Sequence, residues 1–258
     1  MLRPVRHSLQ KHSETNSPKK NHAKIFVNTI PKSGSVFILT ALQELAGCEH
    51  LVLGTGYVPN DSLLLDQARK FSQGGFAAQQ HADCRPNNLA ILEKFVPKWV
   101  VHLRDPRSVT LSWTHHLDKF VALNQRGMLD YVAPIPGEDY LALDFSGRLD
   151  WQITHFLPHI VHWTASWLEY ADRNADRVLV STYEQMIDDQ AAFFRRLLNF
   201  FDISNPELGD LSRFRSEAHH FRKGEVAEWR SVFTEEQKAR SLAAIPETLR
   251  TRMAWPVD

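Results

Sequence analysis

Apolar residues follow two rhythms along this chain. Short continuous runs occur at KIFVNTI (24–30), WVVHLRD (99–105) and RVLVSTY (177–183). Each is rich in β-branched residues and predicts a buried strand. Elsewhere the apolar positions recur at helical spacing. VFILTALQEL sets Ile38, Leu42 and Leu45 on one face and stops at Gly47, as a helix with a glycine C-cap does. Further helices are expected from Asn88 to Phe95, from Pro106 through Leu117, and over 150–174 with a bend or division near Pro158. EQMIDDQAAFFRRLLNFF predicts another, ending before Asp202, and Thr234-Glu235-Glu236-Gln237 has the form of a capping box that opens one more. Residues 48–80 and 124–148, with their glycines and prolines, read as loop-rich. Strands alternating with helices imply an α/β fold, a mostly parallel central sheet flanked by helices on both faces.

The chain has 258 residues, which suits one domain with a sizeable core. Residues 24–258 are read as that single domain and residues 1–23 as a disordered N-terminal tail. The tail carries Arg3, Arg6, Lys11, Lys19 and Lys20 without an apolar stretch, so it does not read as a secretory signal. Thirty basic and thirty acidic side chains leave a formal net charge of zero. The balance gives no sign of a nucleic-acid or membrane partner, and no apolar run approaches the ~18–20 residues that span a bilayer. Cys48 and Cys84 are the two cysteines, too few for a disulfide framework and without a zinc spacing. A cytoplasmic protein is the expectation. Any anion site must then be built locally, from a few placed cations.

TIPKSGSVFI (29–38) is where such a site is expected. A turn from a buried strand into a helix offers free backbone N–H groups at the positive end of the helix dipole. Gly34 permits close approach, Ser33 and Ser35 add hydroxyls, and Lys32 adds a full charge. The order differs from GxxxxGK[ST], in which the lysine follows the second glycine. An ATPase reading is weakened accordingly.

PKSGSVFI resembles the 5′-phosphosulfate loop of the cytosolic sulfotransferase family, whose usual form is PKSGTTW. Pro31, Lys32, Ser33 and Gly34 match, Ser35 replaces Thr, and Phe37 stands where the family has a Trp against the adenine. Three further segments follow in order. HLRDPRSVTLSW (102–113) is similar to the 3′-phosphate site, which implies that role for Arg104 and Ser112. STYEQMIDD (181–189) is similar to the family's YEDM element and gives Tyr183 a nucleotide contact. FRKGEVAEWRSVFT resembles the C-terminal signature, so that Arg222, Lys223 and Gly224 close over the 3′-phosphate. The resemblance covers about residues 24–240. It implies an enzyme that uses 3′-phosphoadenosine 5′-phosphosulfate (PAPS) as donor and releases adenosine 3′,5′-bisphosphate (PAP), with no metal expected. The implied donor site is Lys32, Ser33, Gly34, Ser35, Val36, Phe37, Arg104, Ser112, Tyr183, Arg222, Lys223 and Gly224.

In-line sulfuryl transfer depends on positioning and charge stabilisation, much as phosphoryl transfer does. Lys32 is the candidate for the growing charge on the leaving oxygen. His81, in FAAQQHADCRP, resembles the family's Thr-His-x-Pro base, although Gln80 replaces the Thr and Pro86 is displaced. An imidazole titrating near neutrality suits that task. His155, His159 and His162 have i, i+4, i+7 spacing, but Pro158 interrupts any metal face they would form. His102, in a strand, reads as packing. The acceptor, a small alcohol or phenol and most simply a hydrophobic one, is expected among 48–80 and 113–148, where Phe71, Phe76, Trp113, Phe120, Tyr131, Tyr140 and Phe145 lie. Two rivals stand beside this reading: an ATP-dependent phosphotransferase and an inactive nucleotide-binding protein of the same fold. The family's C-terminal dimer motif is not kept at Glu235 and Ala239, so the sequence leaves the oligomeric state open.

Overall fold

A computed structural model describes residues 22–56, 58–123, 125, 127, 129, 132, 134, 136–204, 207–214 and 225–257. Five strands, β1 (Lys24–Thr29), β2 (Glu49–His50), β3 (Phe76–Gln80), β4 (Trp99–Leu103) and β5 (Val178–Thr182), form one sheet in the order β2-β3-β1-β4-β5. Every pairing is parallel. The chain leaves β1 toward one edge and later returns to its other side, so the order reverses at β1. In open parallel sheets that reversal opens a crevice at the carboxyl ends of the strands.

Alternation along β1 separates two cores. Ile25 and Val27 face a layer built by α1 (Ser35–Ala46), α8 (Tyr183–Asp188) and α9 (Gln190–Phe200), through Ile38, Leu42, Met186, Phe194 and Leu197. Phe26 faces the opposite layer, with α2 (Leu65–Phe71), α3 (Pro86–Phe95), α4 (Pro106–Ala122) and α7 (Leu157–Arg173), through Phe71, Leu92, Val109, Trp163 and Trp167. Side chains that alternate across a strand make this division unavoidable. Two more helices, α5 (Glu138–Ala142) and α6 (Phe145–His155), precede α7, and α10 (Trp229–Val232), α11 (Glu235–Ala244) and α12 (Glu247–Met253) end the chain.

The α/β sheet with helices on both faces is as the sequence implied. Pro158 divides rather than bends: α6 ends at His155 and α7 opens with the proline in its first turn, where a missing N–H costs nothing. His155 therefore belongs to one helix and His159 and His162 to the next, which dissolves the continuous i, i+4, i+7 face. The Thr234 capping box is present, with Thr234 Oγ accepting from the Gln237 N–H at 3.2 Å. Several expectations need correction. Residues 48–80 hold β2, α2 and β3, residues 138–148 hold α5 and the start of α6, and the expected 184–201 helix is two helices broken at Asp189.

Two polar features brace the fold near the carboxyl rim. Asp105 caps α4 by accepting from the Arg107 N–H at 2.9 Å, and the Arg107 guanidinium pairs back to the Asp105 carboxylate at 2.7 Å. That guanidinium also donates to the Pro256 carbonyl at 2.6 Å and lies 3.9 Å over the Trp229 ring. It thereby fastens the C-terminal segment to α4.

Candidate active site

The turn after β1 owes its shape to two carbonyls held from behind. Arg104 Nη1 donates to the Lys32 carbonyl at 2.7 Å, and His102 Nε2 donates to the Ser33 carbonyl at 3.0 Å. Trans peptide planes carry C=O and N–H on opposite sides, so the Ser33 and Gly34 N–H groups point away from β4. Lys32 and Gly34 have φ of 62° and 85°. Alternation of this kind between left-handed and ordinary backbone lets successive amides face one concavity, a common anion cradle. Ser33 is fully buried, and its hydroxyl donates inward to the Ile30 carbonyl at 2.7 Å. It braces the turn with its side chain, leaving its amide for the concavity. Ser35 opens α1 directly behind it.

His102 was read as a packing residue and is more than that. A carbonyl only accepts, so Nε2 carries the proton. Burial pushes the ring pKa down to about 4. The neutral ring accepts at Nδ1 from the Ser181 hydroxyl at 2.9 Å. The only hint in the sequence was a polar residue inside an otherwise apolar strand.

Tyr183, at the start of α8, underlies both halves of the turn. Its ring lies 4.0 Å below the Arg104 guanidinium, and a Cβ placed on Gly34 would stand 3.6 Å from it. Arg104 is 8% exposed, with Nη2 donating to the Glu225 carbonyl at 2.9 Å. Its Nε is buried with no partner. A buried guanidinium N–H without an acceptor fits an anion arriving from outside the chain. The structure thus gathers Lys32, Ser33, Gly34, Arg104 and Tyr183. Phe37 packs edge-on against Phe194, with centroids 5.5 Å apart. Ser112 is half-buried on α4. Arg222, Lys223 and Gly224 lie outside the described residues, as do His219 and His220.

His81 follows β3 directly and is held at backbone and ring. Its N–H donates to Asp61 Oδ2 at 3.1 Å and its carbonyl accepts from the Asp61 N–H at 3.2 Å. The next residue, Ala82, exchanges two 2.9 Å hydrogen bonds with the Asn28 amide of β1. His81 Nδ1 donates to the Thr29 carbonyl at 2.7 Å, which leaves the lone pair on Nε2. Burial lowers the ring pKa, and the Lys32 charge adds to that, against the Thr29 carbonyl and Asp61, which raise it. The result is a neutral imidazole within the field of Lys32. Asn28 and Asp61 were not singled out in the sequence, although an Asn inside a buried strand breaks the local pattern in the way His102 does.

A cavity of ≈ 470 Å³ opens beside His81, within the usual range for small-molecule sites. One wall is the α1 face from Val36 through Leu39, Thr40 and Gln43; the other runs from His50 and Val52 past Gly56 and Val58 to Asp61 and Gln79–His81. Among the described residues, α1 supplies a wall that the sequence did not suggest. Of the expected aromatics, Phe71, Trp113 and Tyr140 are core residues. Phe145 stacks on His115, Phe120 meets His116 edge-on, and Phe76 packs partly buried against the core. None of these six is among the described residues that line the cavity; Tyr131 lies outside the described residues. Among the described residues, no group of three or more His, Cys, Asp or Glu is placed to hold a metal ion, and no helix is long and apolar enough to cross a membrane.

A parallel sheet with an amide-lined turn at its reversal point, a buried guanidinium against that turn and a neutral histidine on the same rim define a nucleotide-type α/β transferase architecture. The model of the sulfotransferase domain matches residues 22–251, and the chain belongs to that family. The mouse sulfotransferase SULT7A1, solved in complex with PAP, shares the fold with a TM-score of 0.63 and 15% identity, over 92% of this chain and 86% of that one. Retinol dehydratase in a complex with retinol and PAP gives 0.52 and 18%, over 85% and 79%. The sulfotransferase domain of the curacin biosynthetic pathway gives 0.55 and 12%, over 93% and 100%. No curated protein sequence matches the chain.

Proposed function

We propose that this sulfotransferase moves the sulfuryl group of PAPS to a hydroxyl of a small acceptor by in-line transfer, with Lys32 stabilising the leaving group and His81 acting as general base. The observation that carries the reading is the His81 Nδ1 bond to the Thr29 carbonyl at 2.7 Å. It fixes the tautomer and leaves the basic Nε2 for the acceptor, and the anchoring Thr29 ends β1 three residues before the lysine that meets the leaving group.

The residues divide the work. Backbone amides of the Lys32–Ser35 turn and the α1 N-terminus receive the 5′-phosphosulfate. Arg104 receives the 3′-phosphate through Nε and through whichever terminal nitrogen releases its carbonyl; Ser112, Arg222, Lys223 and Gly224 complete that end. Val36 and Phe37 line the approach to the adenine, with Tyr183 beneath the turn. The acceptor oxygen forms the new S–O bond while its proton passes to His81 Nε2. The bond from sulfur to the 5′-phosphate oxygen breaks, its electron pair stays on that oxygen, and PAP leaves. The Lys32 ammonium opposes the charge appearing there, which is larger in the transition state than in the ground state. PAP in the two complexes named above supports the same donor for this fold.

The test is titration of the purified protein with PAP and with ATP–Mg²⁺, followed by turnover of labelled PAPS. Tight binding of PAP, with transfer lost in Lys32→Ala, is the expected result. Preferential binding of ATP–Mg²⁺ would overturn the reading, and PAP binding without transfer to any hydroxyl would leave the inactive-binder alternative in its place.

A further inference from the structure

Among the described residues that line the cavity beside His81, Asp61 is the acidic one. It is 1% exposed, and buried charges are ordinarily paired with a cation. Asp61 is not. Its carboxylate accepts from the His81 N–H at 3.1 Å and, at a long 3.5 Å, from the Thr55 hydroxyl; no lysine or arginine among the described residues pairs with it. The fold nevertheless holds it in place. The chain doubles back between Leu53 and Leu64, with the Leu64 N–H donating to the Leu53 carbonyl at 2.8 Å and the Thr55 N–H to the Ser62 carbonyl at 3.1 Å. Asn88 Nδ2 donates to the Asp61 carbonyl at 2.9 Å, and the Asp61 N–H donates to the His81 carbonyl at 3.2 Å. Gly54 keeps room for the carboxylate, since a Cβ there would stand 3.2 Å from Asp61 Cγ.

We infer that Asp61 is a positioning residue for sulfuryl transfer: it clamps the His81 backbone beside the cavity and supplies the fixed negative charge against which the His81 ring becomes an imidazolium. The inference rests on the reading of His81 as general base. When the acceptor's proton passes to Nε2, the ring becomes a cation inside the protein. Burial and the Lys32 ammonium both disfavour that cation, while the Thr29 carbonyl and Asp61 favour it. Thr29 offers only a dipole. Asp61 offers a full charge whose field no cation of its own cancels. The other titratable groups nearby are Asp83, held by Arg85 at 2.6 Å, and His50, which lines the same cavity. A charge set in place before the reaction stabilises the imidazolium as it forms, with no reorganisation to pay for at that moment. The segment that carries Asp61 also brings Gly56 and Val58 to the cavity, so one stretch of chain both faces the acceptor and tunes its base.

The experiment uses Asp61→Asn in the full-length enzyme, which keeps an oxygen for the His81 N–H and removes the charge. The ring titration of His81 in the PAP complex is followed by NMR and assigned by its loss in His81→Ala. Its midpoint should lie about one pH unit lower in Asp61→Asn. Transfer from labelled PAPS to 2-naphthol and to cyclohexanol, as probe acceptors, should fall about tenfold in kcat. The acid limb should move to lower pH with the ring, while PAP affinity stays within about twofold. Asp61→Ser, smaller and also neutral, should move the midpoint the same way. A purely structural Asp61 would lower the melting temperature and leave the midpoint where it was. An unshifted midpoint, an upward shift or unaltered turnover in Asp61→Asn overturns the inference, as does failure of both variants to fold. His81→Ala separates the reading beneath it. An acid limb retained there removes His81 as the base and brings down both; a limb lost there but unshifted in Asp61→Asn sinks the role of Asp61 alone.

Discussion

The Nε2–H of His102 donates to the Ser33 carbonyl across 3.0 Å, inside the sheet and away from solvent. This bond sets the Ser33–Gly34 peptide plane and, with it, the direction of the Gly34 amide. Replacing His102 with leucine strands the Ser33 carbonyl and frees the plane to rotate. We expect PAP affinity to fall about tenfold, with a stability loss on the order of 1–3 kcal/mol. His102→Asn, which keeps an N–H donor, should recover part of the affinity; calorimetric titration of the two variants is the measurement.

His102 also ties stability to acidity. Its folded pKa of about 4 lies below the ordinary 6.5, so between those values the unfolded chain binds a proton that the folded chain refuses. Folding stability should therefore fall as pH drops from about 6.5 toward 4, by an amount on the order of 3 kcal/mol from this residue. Urea melts across that range should show a shallower slope in His102→Gln.

Under the proposed mechanism, the pH profile of turnover reports on His81. Because its pKa is displaced downward by burial and by Lys32, the acid limb of kcat/KM should have its midpoint below 6.5. His81→Ala should lower turnover by about 10²–10⁴-fold, abolish that limb and leave PAP affinity near its original value. An acid limb centred above 6.5, or one retained in His81→Ala, would assign the proton transfer to another group.

Gly34 has φ of +85°, and a Cβ there would lie 2.8 Å from Met186 Cε. The methionine end can yield; the left-handed backbone cannot, and holding it costs a non-glycine residue about 1–2 kcal/mol. Gly34→Ala should remain folded while KM for PAPS rises several-fold, read from initial rates at saturating acceptor.

The Arg107–Asp105 pair is almost wholly buried, with side chains 1% and 5% exposed. Arg107→Ala leaves a carboxylate without its partner and unfastens Pro256 and Trp229. A loss of about 3–5 kcal/mol is expected from chemical denaturation.

Legibility in the sequence followed the source of each element's stability. β1, β4 and β5 were readable because their own residues favour strands. β3, FAAQQ, has no β-branched residue; its extended form is imposed by pairing with β1 on one side and β2 on the other. β2 has only two residues, too short for any pattern. The break between α8 and α9 lay in plain view, since Asp189 caps the second helix by accepting from the Ala192 N–H at 2.9 Å, but the apolar rhythm runs on across it. The Lys32 turn, Arg104, Tyr183 and His81 were singled out from local motifs, and they lie just past the carboxyl ends of β1, β4, β5 and β3. His102, Asn28 and Asp61 were missed because each acts through a partner 20 or more residues away, as with His81 and Asp61 or Asn28 and Ala82. The described aromatics expected around the acceptor are a converse case. Those rings were counted as a surface, and tertiary packing spent most of them on the interior.

Uniform strand direction has a further consequence. With all five strands parallel, the segments that follow Thr29, Gln80, Leu103 and Thr182 emerge at one end, and the segments that enter Phe76, Trp99 and Val178 gather at the other. The far end, around residues 72–75, 96–98 and 174–177, lies across the sheet from the rim that carries Lys32, His81 and Arg104. It is the natural place to graft a tag, a tether or a neighbouring domain without disturbing the transfer reaction.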